Sequence, residues 1–110
     1  MRARLFVLAA AAVSLTACGG GGTAQTAQVT IGPTACTVTP ANLGVGDAEF
    51  TIKNGTDQRV PFVVKEDEDT NQVGEVDVDP GGTATLKIHL DAGDEYQTHC
   101  GAALGPKITP

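Results

Sequence analysis

The apolar positions of this chain recur with a period of two. Val29/Ile31, Phe50/Ile52, Val60/Phe62/Val64, Val76/Val78, Leu86/Ile88/Leu90 and Tyr96/Thr98/Cys100 each put every second side chain on one face, while Thr51, Lys53, Lys87 and His89 fall on the other. Alternation of this kind marks half-buried β-strands, because successive side chains of a strand point to opposite faces of a sheet. Turn chemistry separates the runs at Gly32-Pro33, Gly44 to Asp47, Asn54-Gly55, Asp79-Pro80-Gly81-Gly82, Asp91 to Asp94 and Gly105-Pro106. Seven or eight short strands at this spacing predict an all-β fold, a Greek-key β-sandwich or small barrel. No internal repeat is visible, and no helical period follows the first residues.

Composition agrees with that reading. With no Trp, one Tyr and three Phe in 110 residues, the core has to come from Val, Ile, Leu, Thr and Ala; 14 Gly and 6 Pro keep the segments short. The length is one domain's worth, too short for a two-domain enzyme with its own cofactor fold. Thirteen acidic against seven basic residues give a net charge of −6, which repels a polyanion, so nucleic acid is not an expected partner.

The N-terminus has a different character. Arg2 and Arg4 precede an apolar run from Leu5 to Val13, about half the length of a membrane span. Leu15-Thr16-Ala17-Cys18 follows, and resembles the lipobox of bacterial lipoproteins, in which a cysteine is acylated and becomes the new N-terminus. The resemblance implies a signal peptide over residues 1–17, a lipidated Cys18 (palmitate among its chains), and a Gly-rich flexible tether over 18–28 ahead of a folded domain at 29–110. Each buried acyl CH₂ contributes about 0.8 kcal/mol, so two or three chains anchor stably where one does not. The expected partner is therefore a membrane, reached through the lipid anchor. The expected location is the cell envelope, on the outer face of the plasma membrane or on the outer membrane. Loss of Arg2 and Arg4 with the signal takes the charge from −6 to −8.

Three cysteines is an odd count, and acylation of Cys18 leaves Cys36 and Cys100 in a compartment where disulfides persist. One bridge between them is predicted, contributing roughly 4 kcal/mol in the chain-entropy model because the loop it closes is long. The competing reading, a pair of metal-binding thiolates, has no CxxC spacing and no adjacent Cys or His cluster behind it.

Taken together, Cys36, the Phe50-Thr51-Ile52-Lys53-Asn54 strand end, the Pro80-Gly81-Gly82 turn, the alternating Thr83 to Leu90 strand and Ala92-Gly93 leading to Tyr96 and Cys100 resemble a cupredoxin-like domain. The nearest form is the N-terminal cupredoxin-like module of EfeO-type periplasmic iron-uptake lipoproteins, which has an early cysteine like Cys36 and a late Cys-Gly like Cys100-Gly101. That resemblance implies a role in metal, and specifically iron, acquisition, with a metal-uptake or other envelope protein as partner. The alternative is a structural or protein-interaction lipoprotein without metal. The family's acidic positions are here Thr37, Pro61 and Val63.

Candidate chemistry is sparse. A type 1 copper centre needs two imidazoles, a thiolate and usually an axial Met. Here Pro61 is followed by Phe62 where blue-copper proteins place a ligand His, Cys100 is followed by Gly101-Ala102-Ala103-Leu104, and Met1 is the only methionine. No type 1 copper and no other cofactor is expected. Alternation sends His89 and His99 to the solvent faces. The run Glu66-Asp67-Glu68-Asp69 is the one candidate for a hard cation such as Ca²⁺ or Fe³⁺, although it lacks the alternate spacing and the glycine of a calcium loop. Ser14, in the signal, is the only serine, so a serine nucleophile is excluded and no enzyme is expected.

Overall fold

The computed structural model describes residues 24–66 and 71–110. Residues 1–17, expected to be a signal peptide, Cys18, and Asp67, Glu68 and Asp69 of the acidic run lie outside the described residues. Eight strands follow in chain order: β1 (Gln25–Ile31), β2 (Cys36–Thr39), β3 (Gly46–Asn54), β4 (Val60–Glu66), β5 (Gln72–Val78), β6 (Thr83–Leu90), β7 (Tyr96–Cys100) and β8 (Ala103–Ile108). They form two four-stranded sheets, β2-β1-β3-β6 and β5-β4-β7-β8, and no helix occurs among the described residues. The fold is an all-β sandwich.

Every pairing is antiparallel except β1 with β3, which run parallel from Gln25↔Ala48 to Ile31↔Asn54. Each strand turns its apolar set inward, so Phe50 and Ile52 of one sheet meet Phe62 and Val64 of the other, and all four are fully buried. The Phe50 and Phe62 rings sit 5.6 Å apart at a tilted 48°, an arrangement that suits the quadrupoles of aromatic rings. β5 packs beside β6 and β2 beside β8, closing the sandwich at both edges.

β1 begins at Gln25, four residues before the expected start of the fold at Val29, so residues 25–28, expected to belong to the tether, are strand. Ala27 shares the inward parity of Val29 and Ile31 and is buried, and the parallel pairing with β3 satisfies the backbone of its polar neighbours. Gly105-Pro106 is likewise strand and not turn. β8 is an edge strand, where a proline forfeits no ladder bond, and the buried Thr98 hydroxyl donates to the Pro106 carbonyl at 2.8 Å where the pairing of β7 and β8 slips. Asp79-Pro80-Gly81-Gly82 is a turn as expected. Proline sits at its second position, Gly81 with φ 68° at its third, and the Gly82 N–H donates to Asp79 O at 2.9 Å.

At one end of the sandwich lie the Asn54–Val60 loop, the turn before β2 and the β7–β8 hairpin. At the other end β4 finishes at Glu66, and β6 turns through Asp91 into Tyr96. The Tyr96 hydroxyl accepts the Asp91 N–H at 2.8 Å, which pins that turn to the start of β7.

Candidate functional site

The end that holds the β7–β8 hairpin is stapled by a disulfide. Cys36 on β2 and Cys100 on β7 are bonded, with Cα atoms 5.6 Å apart, so the bridge joins an edge of one sheet to the middle of the other. Both residues are buried. Gly105 on β8 lies directly against the bridge: a Cβ there would collide with the Thr98 hydroxyl and stand 2.9 Å from Cys36 Sγ. The predicted pairing is the one observed.

Positions that the cupredoxin resemblance compares from distant parts of the chain come together here. Phe62 pairs with Cys100, and the Gly101 N–H donates to Pro61 O at 2.8 Å. Their chemistry does not fit a copper ion. Phe62 is a buried aromatic with no donor, the Cys100 sulfur is bonded to Cys36, and Gly101 to Leu104 carry no ligating side chain. Neither histidine can complete a set. His99 points to the outer face of its sheet, and His89 lies near the far end of β6.

What this end does offer is a groove of about 590 Å³. Buried Ile31 and half-buried Val60 and Ala103 give it an apolar floor, exposed Pro33 and Ala102 extend the apolar lining, and Thr56, Asp57 and Gln58 form a polar rim. Its walls are tied together by the Gly55 N–H to Ile31 O (2.8 Å) and by the Gly101 bond to Pro61. The loop carrying the rim is organised from below by Asn54, which is fully buried. The Asn54 amide donates to Gln58 O at 2.6 Å and to Val78 O at 2.9 Å, while its Oδ1 accepts from the Thr56 N–H at 2.9 Å and the Thr56 hydroxyl at 2.7 Å. Nothing in the sequence marks this role; Asn-Gly reads only as a turn, and a buried amide leaves no trace in a period of two.

The opposite end is acidic. Glu66 accepts from the Asn71 amide at 2.7 Å, and the Asp94 carboxyl beside it raises its pKa above the usual carboxylate range, with the Asn71 bond pulling the other way. Of the four acids proposed for a cation, Glu66 is the one described, and its carboxyl neighbour Asp94 lies far away in sequence. Among the described residues no three His, Cys, Asp or Glu side chains converge as a metal would require.

His89 is exposed, as its parity implied, and sits between two carboxylates, with Nδ1 2.7 Å from Asp47 Oδ1 and Nε2 3.5 Å from Asp91 Oδ1. The Asp47 bond raises its pKa. A second groove, of about 430 Å³, runs beside His89 along Ala48, Glu49 and Lys87. His99 lies on the outer face, as predicted, yet is half-buried because Val63 and Leu104 are its cross-strand neighbours. Burial, and then the charge of Lys65, lower its pKa.

No family model matches this chain, and no curated protein does. Three chains of solved structures resemble it. One is the crystal structure of Lac15 from a marine microbial metagenome, with a TM-score of 0.55 and 14% identity over 94% of this chain and 33% of that one. The likeness shows the fold alone. This chain spans a third of that protein's length, and nothing about the site is carried across.

Proposed function

We propose that this chain is an extracytoplasmic binding domain with a cupredoxin-like sandwich, held to the outer face of a bacterial membrane by an acylated Cys18, and that it neither carries type 1 copper nor catalyses a reaction. The observation that carries this reading is the Cys36–Cys100 bond at the loop end. The one sulfur that a copper centre would use there is tied up in a staple, and a groove with an apolar floor lies beside it. A preorganised concave surface with few polar groups is suited to binding. A buried disulfide in so small a domain also favours an oxidising compartment.

Two measurements test this. Mass spectrometry of membrane fractions is expected to find an N-terminal peptide starting at acylated Cys18, and a mature chain that starts elsewhere overturns the anchor. Purified protein given Cu(II) is expected to remain without an intense blue charge-transfer band, and such a band overturns the copper-free reading.

A second reading, handling of a hard cation in metal acquisition, has one observation in its favour: Glu66 and Asp94 bring two carboxyls together at the acidic end. Calorimetric titration with citrate-solubilised Fe³⁺ and with Ca²⁺, on wild type and on Glu66→Gln with Asp94→Asn, decides it. Ion binding that those two changes abolish establishes this reading, whereas binding unaffected by them removes the acidic end as the site.

A further inference from the structure

Among the described residues, Asp57 is the only charged group lining the loop-end groove. Arg59, two residues on, is drawn away by Asp77 at 3.3 Å and Asp79 at 3.6 Å, so no cation answers the Asp57 carboxylate among the described residues. The loop beneath it is held in place by the four hydrogen bonds of Asn54. A carboxylate carried on this ordered loop at the rim of an apolar trough complements a cation at the end of an aliphatic stem, and a lysine side chain has that shape: four methylenes ending in an ammonium group.

The groove is open to solvent and not an enclosed cavity. A free small ligand is held by burying most of its surface, which an open trough does not do, so the stem has to be delivered by a larger surface that rests on the rim. The net charge of −6 favours the approach of a basic surface over an acidic one. An exposed ion pair contributes little by itself, so the stem lying on Val60, Pro33 and Ala103 has to supply much of the affinity.

On the reading of this chain as a metal-free binding domain, we propose that the loop-end groove is the docking site for a lysine side chain of a partner protein, with the ammonium group at Asp57 and the stem on the apolar floor.

The test is a backbone-amide NMR titration of the intact disulfide-bonded chain with the peptide acetyl-Gly-Ala-Lys-Ala-Gly-amide, with its norleucine and glutamate counterparts, and with n-pentylamine. The lysine peptide is expected to shift the amides of Gly32, Gln58 and Gly101 to Ala103. Asp57→Asn is expected to weaken it by about three- to five-fold, the scale of an exposed pair. Ala102→Trp, which fills the trough while leaving the remaining spectrum in place, is expected to abolish it, and the glutamate peptide is expected to cause no shift. Equal binding of the lysine and norleucine peptides, or indifference to Asp57→Asn, overturns the proposal. Pentylamine binding as tightly as the peptide overturns the protein partner and makes the ligand a small amine. Cu(II) added to the same sample separates the two levels of failure: broadened loop-end amides overturn the metal-free reading itself, whereas silence from the lysine peptide with those amides still sharp overturns only the lysine site.

Discussion

The side-chain amide of Asn54, at the end of β3 in one sheet, donates a hydrogen bond to the backbone carbonyl of Val78, at the end of β5 in the other. Its remaining donor and its acceptor serve the next loop, so one buried residue couples the two sheets and shapes the rim of the groove. Asn54→Ala removes all four of these side-chain bonds and leaves the Thr56 N–H without its Oδ1 acceptor. The expected loss is about 2–3 kcal/mol, since a buried unsatisfied polar group costs about 1–3 kcal/mol. Urea unfolding measures it. A loss below half a kcal/mol would show that water replaces the amide at no cost.

Gly105 fails for a steric reason. Its Cβ has no room between Thr98 and Cys36 Sγ, so Gly105→Ala has to push β8 away from the disulfide, at an expected cost of about 1–3 kcal/mol. Gly32→Ala is the control, because a Cβ there makes ordinary contact at 3.7 Å with the Ala35 carbonyl. Thermal melts of the two variants are expected to separate clearly.

Removal of the staple by Cys36→Ala with Cys100→Ala is expected to cost roughly 4 kcal/mol if the bridge acts on the unfolded chain. A thiol assay on denatured, unreduced wild type should find neither of these two sulfurs free. Free thiols at both positions in oxidised preparations would refute the pairing in solution.

The two histidines are expected to titrate in opposite directions. His89 is raised, above all by its bond to Asp47, so its favourable contribution to stability is fully present below the ordinary value of 6.5 and is lost as pH rises through the higher folded value. His99 is lowered by burial, so the folded state disfavours its proton, and stability falls as pH drops from the ordinary value through the depressed one. Two imidazole resonances followed by NMR from pH 4 to pH 9 test both directions, and Asp47→Asn should bring only the His89 value back toward 6.5. Identical midpoints for the two rings would contradict both assignments.

The local part of this fold was legible. Phe50/Ile52 and Phe62/Val64 alternate because a strand exposes one face to a core, and that rule involves neighbours two residues apart. Pro80-Gly81 announces its turn because Pro presets one dihedral and Gly permits the next. β2 and β8 were harder to see. Cys36–Thr39 spans four residues, too few for a clear period, and Gly105-Pro106 interrupts β8 with residues that elsewhere mark turns. β8 survives because it is an edge strand with a side chain from β7 to satisfy its backbone.

The candidate site divides along the same line. From the sequence by itself come the all-β class, the inward face of most strands, the likeness of Leu15-Thr16-Ala17-Cys18 to a lipidation signal, and, by parity, the pairing of Cys36 with Cys100. Only the tertiary structure decided that β1 runs parallel to β3, that Phe62 lies beside Cys100, and that Asp57 lines the same groove as Ile31, Val60 and Ala103. The physical reason is range. Alternation and turn chemistry act over two to four residues, whereas the partners of a strand are selected by how two sheets fill one core, and that selection brings together loops separated by tens of residues.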